Sequence, residues 1–183
     1  MKKYLITSDD FYTQEDTIFQ ETLEAQIKKH QPDFLLYRDK ENQNYPKLAK
    51  TFIQVCNKHT SVKCFLHQDP FLAKELGATG VHLNSTQFES IAKAKEFGLE
   101  VIISTHTYDE VKKAQQLGAD YVTYSPIFPS PNKGEPKGIE ALKDLIEQVD
   151  IKVFALGGII EEKQIQQVKD AKAYGFASIR YFY

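Results

Sequence analysis

A recurring glycine joint constrains this chain more than any other feature. Leu76-Gly77-Ala78-Thr79-Gly80-Val81 is echoed by Leu117-Gly118-Ala119-Asp120-Tyr121-Val122. Gly98-Leu99-Glu100-Val101 falls between them, and Ala173-Tyr174-Gly175-Phe176 repeats the theme later. Each glycine ends an amphipathic stretch, where a left-handed residue stops a helix, and a short apolar run follows. A helix-to-strand unit recurring about every twenty residues is the signature of a stacked βα architecture.

Eight strands are expected: Tyr4–Thr7, Phe34–Tyr37, Val62–Leu66, Gly80–Leu83, Val101–Ser104, Tyr121–Tyr124, Lys152–Leu156 and Phe176–Ile179. Their cores are short and almost wholly apolar, as parallel strands covered on both faces require. Helical spacing joins Phe19, Leu23 and Ile27, then Leu48, Phe52 and Val55, then Val111, Ala114 and Leu117. Thr86-Gln87-Phe88-Glu89 and Thr107-Tyr108-Asp109-Glu110 both fit a capping box, predicting two helix starts. Strict alternation over 183 residues predicts an α/β fold, a single short (β/α)8 TIM barrel forming one domain over residues 1–183. The sequence stops just after the eighth strand, so no final helix is expected. The groove this leaves should expose apolar surface near Tyr181-Phe182-Tyr183, and a homodimer burying the C-terminus is expected.

The charge pattern excludes other classes. Twenty-three basic and 25 acidic residues are dispersed without a basic stripe, so no nucleic-acid or membrane partner is expected. The apolar run after Met1-Lys2-Lys3 is too short for a signal peptide, and none approaches spanning length. A cytoplasmic location is therefore expected. Cys56 and Cys64 lack metal-site spacing and read as buried thiols.

Function in such a barrel collects on the loops that follow the strands. Those positions hold Arg38-Asp39-Lys40, His67-Gln68-Asp69, Asn84-Ser85 and Ser104-Thr105-His106-Thr107. A long loop, Ser125 to Gly134, follows the sixth strand and contains Ser130, Asn132 and Lys133. Gly157-Gly158 ends the seventh strand and Ile179-Arg180 the eighth. Arg38, Lys40, Lys133 and Arg180 thus place four cations at one mouth, among glycines and hydroxyls, which suits a phosphorylated substrate. The bland reading for any one of them is a rim charge paired with a neighbouring acid. His82 lies within a strand and should pack or make one hydrogen bond. His30 and His59 should close helices, where a cation complements the dipole.

Taken in order, several motifs resemble thiamine phosphate synthase and its sister group, the TenI-like thiazole tautomerases. They are Arg38-x-Lys40, Gly77-Ala78-Thr79-Gly80-Val81-His82-Leu83, Ser104-Thr105-His106-Thr107 and Gly118-Ala119-Asp120-Tyr121-Val122, followed by Pro126-Ile127-Phe128-Pro129-Ser130 with Lys133, and Ala155-Leu156-Gly157-Gly158-Ile159. The resemblance implies a thiamine-biosynthesis enzyme acting on small phosphorylated substrates, a pyrimidine methyl diphosphate and a thiazole ethyl phosphate. It implies that Arg38, Lys40, Ser104 and Lys133 face the diphosphate, joined here by His67. It implies that Ser130, Asn132, Gly157, Gly158, Ile179 and Arg180 face the thiazole phosphate.

Departures from that family shape the expectations. His67-Gln68 stands where the synthases carry Asn-Asp, and Gln87 where they carry a second aspartate, both aspartates being Mg²⁺ ligands there. An amide is a poorer ligand for a hard cation than a carboxylate, so Mg²⁺ should be held mainly by a diphosphate substrate if at all. Leu36 replaces a glutamine, Arg180 a serine, and Pro126 stands where the tautomerases carry their catalytic histidine. The expected catalytic pair is His67, as a proton shuttle whose pKa neighbouring cations push down, and Lys133. His106 is the competing base. The leading reading is a protein that binds thiazole phosphate and acts on it. The others are a Mg²⁺-dependent synthase and a non-catalytic binding module.

Overall fold

The computed structural model describes residues 1–183. Strand β1 (Lys2–Ile6) leads to helix α1 (Asp16–His30), and β2 (Phe34–Tyr37) to α2 (Tyr45–Cys56). Then come β3 (Lys63–His67), α3 (Pro70–Leu76), β4 (Gly80–Leu83), α4 (Ser90–Glu96), β5 (Glu100–Thr105) and α5 (Tyr108–Gln116). The order ends with β6 (Tyr121–Tyr124), α6 (Gly138–Glu147), β7 (Lys152–Leu156), α7 (Glu162–Asp170), β8 (Gly175–Ser178) and a 3₁₀ turn over Arg180–Phe182. All eight strands pair in parallel with their sequence neighbours, and β8 closes on β1 with Tyr4 opposite Ala177. This is the (β/α)8 barrel that the repeat predicts, and as expected it carries no eighth helix.

The period-two alternation of a strand divides the core into two layers. Tyr4, Ile6, Phe34, Leu36, Phe65, Ile102, Tyr121 and Phe154 point inward and fill the barrel. Leu5, Leu35, Tyr37, Leu66, Val81, Val101 and Val153 point outward and pack under Phe19, Leu23, Phe52, Ile91 and Val111 of the helices. Gly77, Gly98 and Gly118 do end their helices in left-handed conformation. Gly175 does not: Lys172 takes the left-handed turn, and Gly175 lies inside β8. Its reason for being glycine is space. A Cβ there would sit 2.5 Å from the Lys2 carbonyl oxygen and 2.5 Å from the Phe154 ring.

Other expectations are corrected locally. Thr107 caps α5, accepting from the Glu110 amide at 3.2 Å, but Thr86 starts no helix. Its amide and hydroxyl both bond the Asn84 side chain, a competing Asx turn, and α4 begins only at Ser90. Leu117 is 45% exposed rather than core. His30 does end α1, whereas His59 lies in a turn beyond the end of α2. Cys56 and Cys64 are not free thiols: α2 ends beside the start of β3, their Cα atoms are 6.4 Å apart, and the sulfurs are joined.

The tail also departs from expectation. Phe182 is fully buried, stacked on Phe176 and edge-on to His30, and Tyr183 stacks on Phe11 with ring centroids 4.4 Å apart. The tail itself fills the groove that an eighth helix would cover. Phe182 is therefore no part of an exposed apolar patch, while Phe11, beside Tyr183, stays 39% exposed. Phe182→Ala should destabilise the chain by about 3–5 kcal/mol, the usual cost of emptying a buried aromatic site. Urea unfolding measures it, and a loss below about 0.5 kcal/mol would mean a fraying tail instead.

Candidate active site

The carboxyl ends of the strands surround one cavity of about 830 Å³. Every residue singled out above for substrate lines it: Arg38, Lys40, His67, Ser104, Ser130, Asn132, Lys133, Gly157, Gly158, Ile179 and Arg180. They arrive from six different strand ends, which is how this fold gathers distant sequence positions. His106, the competing base, lines the cavity too. Its Nδ1 lies 3.5 Å from Glu110 Oε2, and it remains 43% exposed at the side chain.

One corner is built for an anion. Gly157 and Gly158 both have positive φ, and a Cβ on Gly158 would meet the Pro129 carbonyl oxygen at 2.5 Å. The long loop after β6 therefore packs against this turn, its Phe128 amide donating to the Gly157 carbonyl at 3.0 Å. The backbone N–H groups of Gly157, Gly158 and Ile179 find no acceptor within the chain. Such unpaired amides need a partner, and Arg180 stands beside them at the cavity rim.

The opposite wall carries Arg38, Lys40 and His67. Arg38 is half-buried, and burial lowers its pKa while Asp9 and Asp10 hold it up. Those two aspartates, with Ser8, line the cavity but escaped the sequence reading. They follow β1 directly, so the same rule of reading past each strand end would have found them. Burial, more than the cations expected, drives the His67 pKa down to about 4, with Arg38 and Lys40 adding to it. Its Nε2 lies 3.3 Å from Gln68 Nε2. His82 makes two hydrogen bonds rather than one, to Tyr4 at 2.8 Å and to Ser104 at 3.0 Å.

Residues 3–182 match the profile of a family described as thiamine monophosphate synthase. The chain belongs to that family. A relative from Aquifex aeolicus, whose name also carries the words thiamine-phosphate synthase, is 34% identical over 90% of this chain and 89% of its own length. The thiamine-phosphate synthase of Nitrosococcus oceani is 30% identical over 73% of this chain, which spans only 64% of that protein. Among solved structures, the thiamine phosphate pyrophosphorylase from Pyrococcus furiosus superimposes with a TM-score of 0.82 at 25% identity, covering 97% of this chain and 85% of that one. The family is one of thiamine-biosynthesis enzymes, and its substrates are small and phosphorylated.

The residues here do not fit the Mg²⁺ that the synthases use. At the two aspartate positions stand Gln68 and Gln87, and no three His, Cys, Asp or Glu side chains converge to hold an ion. Both ends of the Gln87 amide are already engaged. Its oxygen accepts from the Asn84 amide at 3.1 Å and its nitrogen donates to the Gln68 carbonyl at 3.0 Å. An amide latch ties the loops after β3 and β4 together where a metal would join them.

The depressed His67 pKa also sets a pH dependence. Above the ordinary histidine value of 6.5 the ring is neutral in both folded and unfolded chains and contributes no slope. Between 6.5 and about 4 only the unfolded chain takes up the proton, so stability falls as pH falls through that window. His82, held well below 6.5 by burial, acts in the same direction. Wild type should lose roughly 3 kcal/mol more than His67→Asn between pH 7 and pH 4, an upper figure at 1.36 kcal/mol per pKa unit. Denaturant unfolding at the two pH values gives the comparison.

Proposed function

We propose that this chain binds a thiazole ethyl phosphate, its phosphate on the corner formed by Gly157, Gly158, Ile179 and Arg180, and acts on the ring with His67 moving the proton. The observation that carries the reading is the set of unpaired backbone donors in that corner, which lies in the same cavity as a neutral imidazole. Amides fixed by a glycine turn lose nothing in reorganisation when a phosphate oxygen arrives, and a guanidinium adds a charge-assisted donor. Ser130 and Asn132, on the long loop after β6, complete the rim.

Proton transfer works best with a pKa near the working pH. Burial and the two neighbouring cations hold His67 below that range. A bound phosphate dianion across the cavity offsets part of the Arg38 and Lys40 contribution and shifts the imidazole pKa upward, while the larger effect of burial remains. Lys133 neutralises charge that develops on the ligand. A second reading, condensation with a pyrimidine methyl diphosphate and release of pyrophosphate, is favoured by Arg38, Lys40 and Lys133, which offer a second anion site beside Ser104. In that reaction the cations stabilise the departing diphosphate.

A paired assay separates the two. Thiazole phosphate tautomers are followed alone, then with pyrimidine diphosphate, with and without Mg²⁺ and chelator. Exchange of the tautomers without diphosphate is expected, lowered about 10²–10⁴-fold by His67→Asn and little by His106→Asn. Absence of exchange, with coupling that collapses on chelation, establishes the second reading. Arg180→Ala should weaken thiazole phosphate binding about tenfold or more, since a hydrogen bond to a charged group contributes roughly 1.5–3 kcal/mol. Unchanged affinity in calorimetry would make Arg180 a rim charge only.

A further inference from the structure

Toward the cavity, the aromatic interior of the barrel ends in three polar side chains from three strands. The Tyr4 hydroxyl of β1 lies 2.8 Å from Nδ1 of His82 on β4. The other ring nitrogen, Nε2, lies 3.0 Å from Ser104 Oγ on β5. Tyr4 and His82 are buried, and Ser104 is half-buried at the cavity wall.

Two proton arrangements fit these distances, and they are not equivalent. If Nδ1 carried the proton, it would donate to the Tyr4 oxygen, and the phenolic proton would need another acceptor. None exists, because Tyr4 is enclosed by the rings of Phe34, Phe65 and Phe154 and makes no other hydrogen bond. A buried donor without an acceptor is among the costlier defects of a folded chain. If Nε2 carries the proton, Tyr4 donates to Nδ1, Nε2–H donates to Ser104, and every buried polar atom in the chain of bonds is satisfied. The Ser104 oxygen then accepts from His82, and its own proton has no protein partner. Burial supports the neutral states this requires, holding the Tyr4 pKa well above and the His82 pKa well below their ordinary values.

We infer that Tyr4 and His82 are positioning residues that leave the Ser104 proton free to donate into the cavity, so that a ligand acceptor opposite it is favoured over a donor. The direction of the hydroxyl rests on the hydrogen bonds alone, and its bearing on affinity rests on the function proposed above. A ligand presenting an N–H or O–H at that point could use only the second lone pair of Ser104 and would leave the Ser104 proton unpartnered, so it binds less well than an acceptor. The relay therefore selects for a phosphate oxygen or an unprotonated ring nitrogen.

The first test needs no ligand. A long-range proton–nitrogen correlation spectrum of the full-length chain at neutral pH distinguishes the two neutral tautomers of His82. The Nε2–H form is expected, and the Nδ1–H form or an imidazolium overturns the proposal. The second test is a double-mutant cycle of Tyr4→Phe and Ser104→Ala, read by titration with inorganic pyrophosphate and, separately, with thiazole ethyl phosphate. Tyr4→Phe should weaken one of the two by about three- to tenfold with Ser104 present and leave it unchanged in Ser104→Ala. Equal losses in both backgrounds would mean that Tyr4 serves only packing. Should wild type bind neither probe, the proposed function fails while the spectrum still decides the relay. Should Tyr4→Phe not fold, the spectrum of Ser104→Ala decides instead: persistence of Nε2–H supports Tyr4 as the anchor, and a switch to Nδ1–H refutes it.

Discussion

Closing eight parallel strands on themselves requires an interior filled without voids or clashes, and here that interior is a stack of rings. Phe34 lies within about 6 Å of Phe65, Tyr121 and Phe154, and Tyr121 within 5.9 Å of Phe154, ring to ring, in stacked, edge and tilted contacts. Such bulk fits only because neighbouring inward positions carry no side chain. A Cβ on Gly80 would fall 2.6 Å from Phe65 and 2.1 Å from the Glu100 carbonyl oxygen, and Gly175 stands in the same relation to Phe154. Large rings and absent side chains are complementary halves of one packing solution, and the β1–β8 seam depends on both. At the amino-terminal end the stack is sealed by Lys63, which pairs with Glu100 at 2.6 Å and with the Tyr121 hydroxyl at 3.1 Å. That end is partly solvated, so the pair adds modestly to stability and leaves chemistry to the other end.

At the carboxyl end the same stack serves as insulation. Tyr4 stands on it and presents one hydroxyl upward, and the apolar walls around that hydroxyl leave it a single partner. His82 is thereby oriented, and Ser104 through it. His67, a strand away with its ring 6.3 Å from that of His82, is kept neutral by the same shortage of water. Core packing and site electrostatics are thus not separable in this protein. A change deep in the barrel that admitted water beside Tyr4 would loosen the polar chain above it without touching any residue of the cavity wall.

The architecture was legible in the sequence because strand period, glycine joints and alternation all point the same way. Four of the eight strands, among them Phe34–Tyr37 and Tyr121–Tyr124, end where the apolar runs end. The candidate site was legible for a geometric reason: in a parallel barrel the residue after each strand is at the mouth, whatever its distance in sequence. What escaped was whatever depends on tertiary partners. The Asn84 side chain captured Thr86 and cancelled a capping signal, and no local pattern reveals that competition. The pairing of Cys56 with Cys64 needs the end of α2 beside the start of β3. Tail burial depends on a groove that exists only once β8 has closed on β1. The His67 shift was expected from its charged neighbours, but burial dominates it, and burial is not written in the neighbouring sequence.

The amide latch acquires a meaning once the charges around the cavity are considered together. Arg38, Lys40, Lys133 and Arg180 face Asp9, Asp10 and Glu41, and the histidine at the wall is neutral. Four cations against three carboxylates leave one net positive charge to receive an anion. Two further carboxylates at positions 68 and 87, with one divalent cation between them, would leave that balance unchanged. The glutamines thus remove the carboxylates and the electrostatic need for the ion together, and Gln87 takes over the mechanical task of joining the two loops. What the substitution gives up is the metal's ability to polarise a leaving diphosphate. What it keeps is attraction for a phosphate ester. That asymmetry is the physical reason for proposing that the chemistry of this chain belongs to the corner of Gly157, Gly158, Ile179 and Arg180, where the donors are backbone amides and a guanidinium and no ion is required.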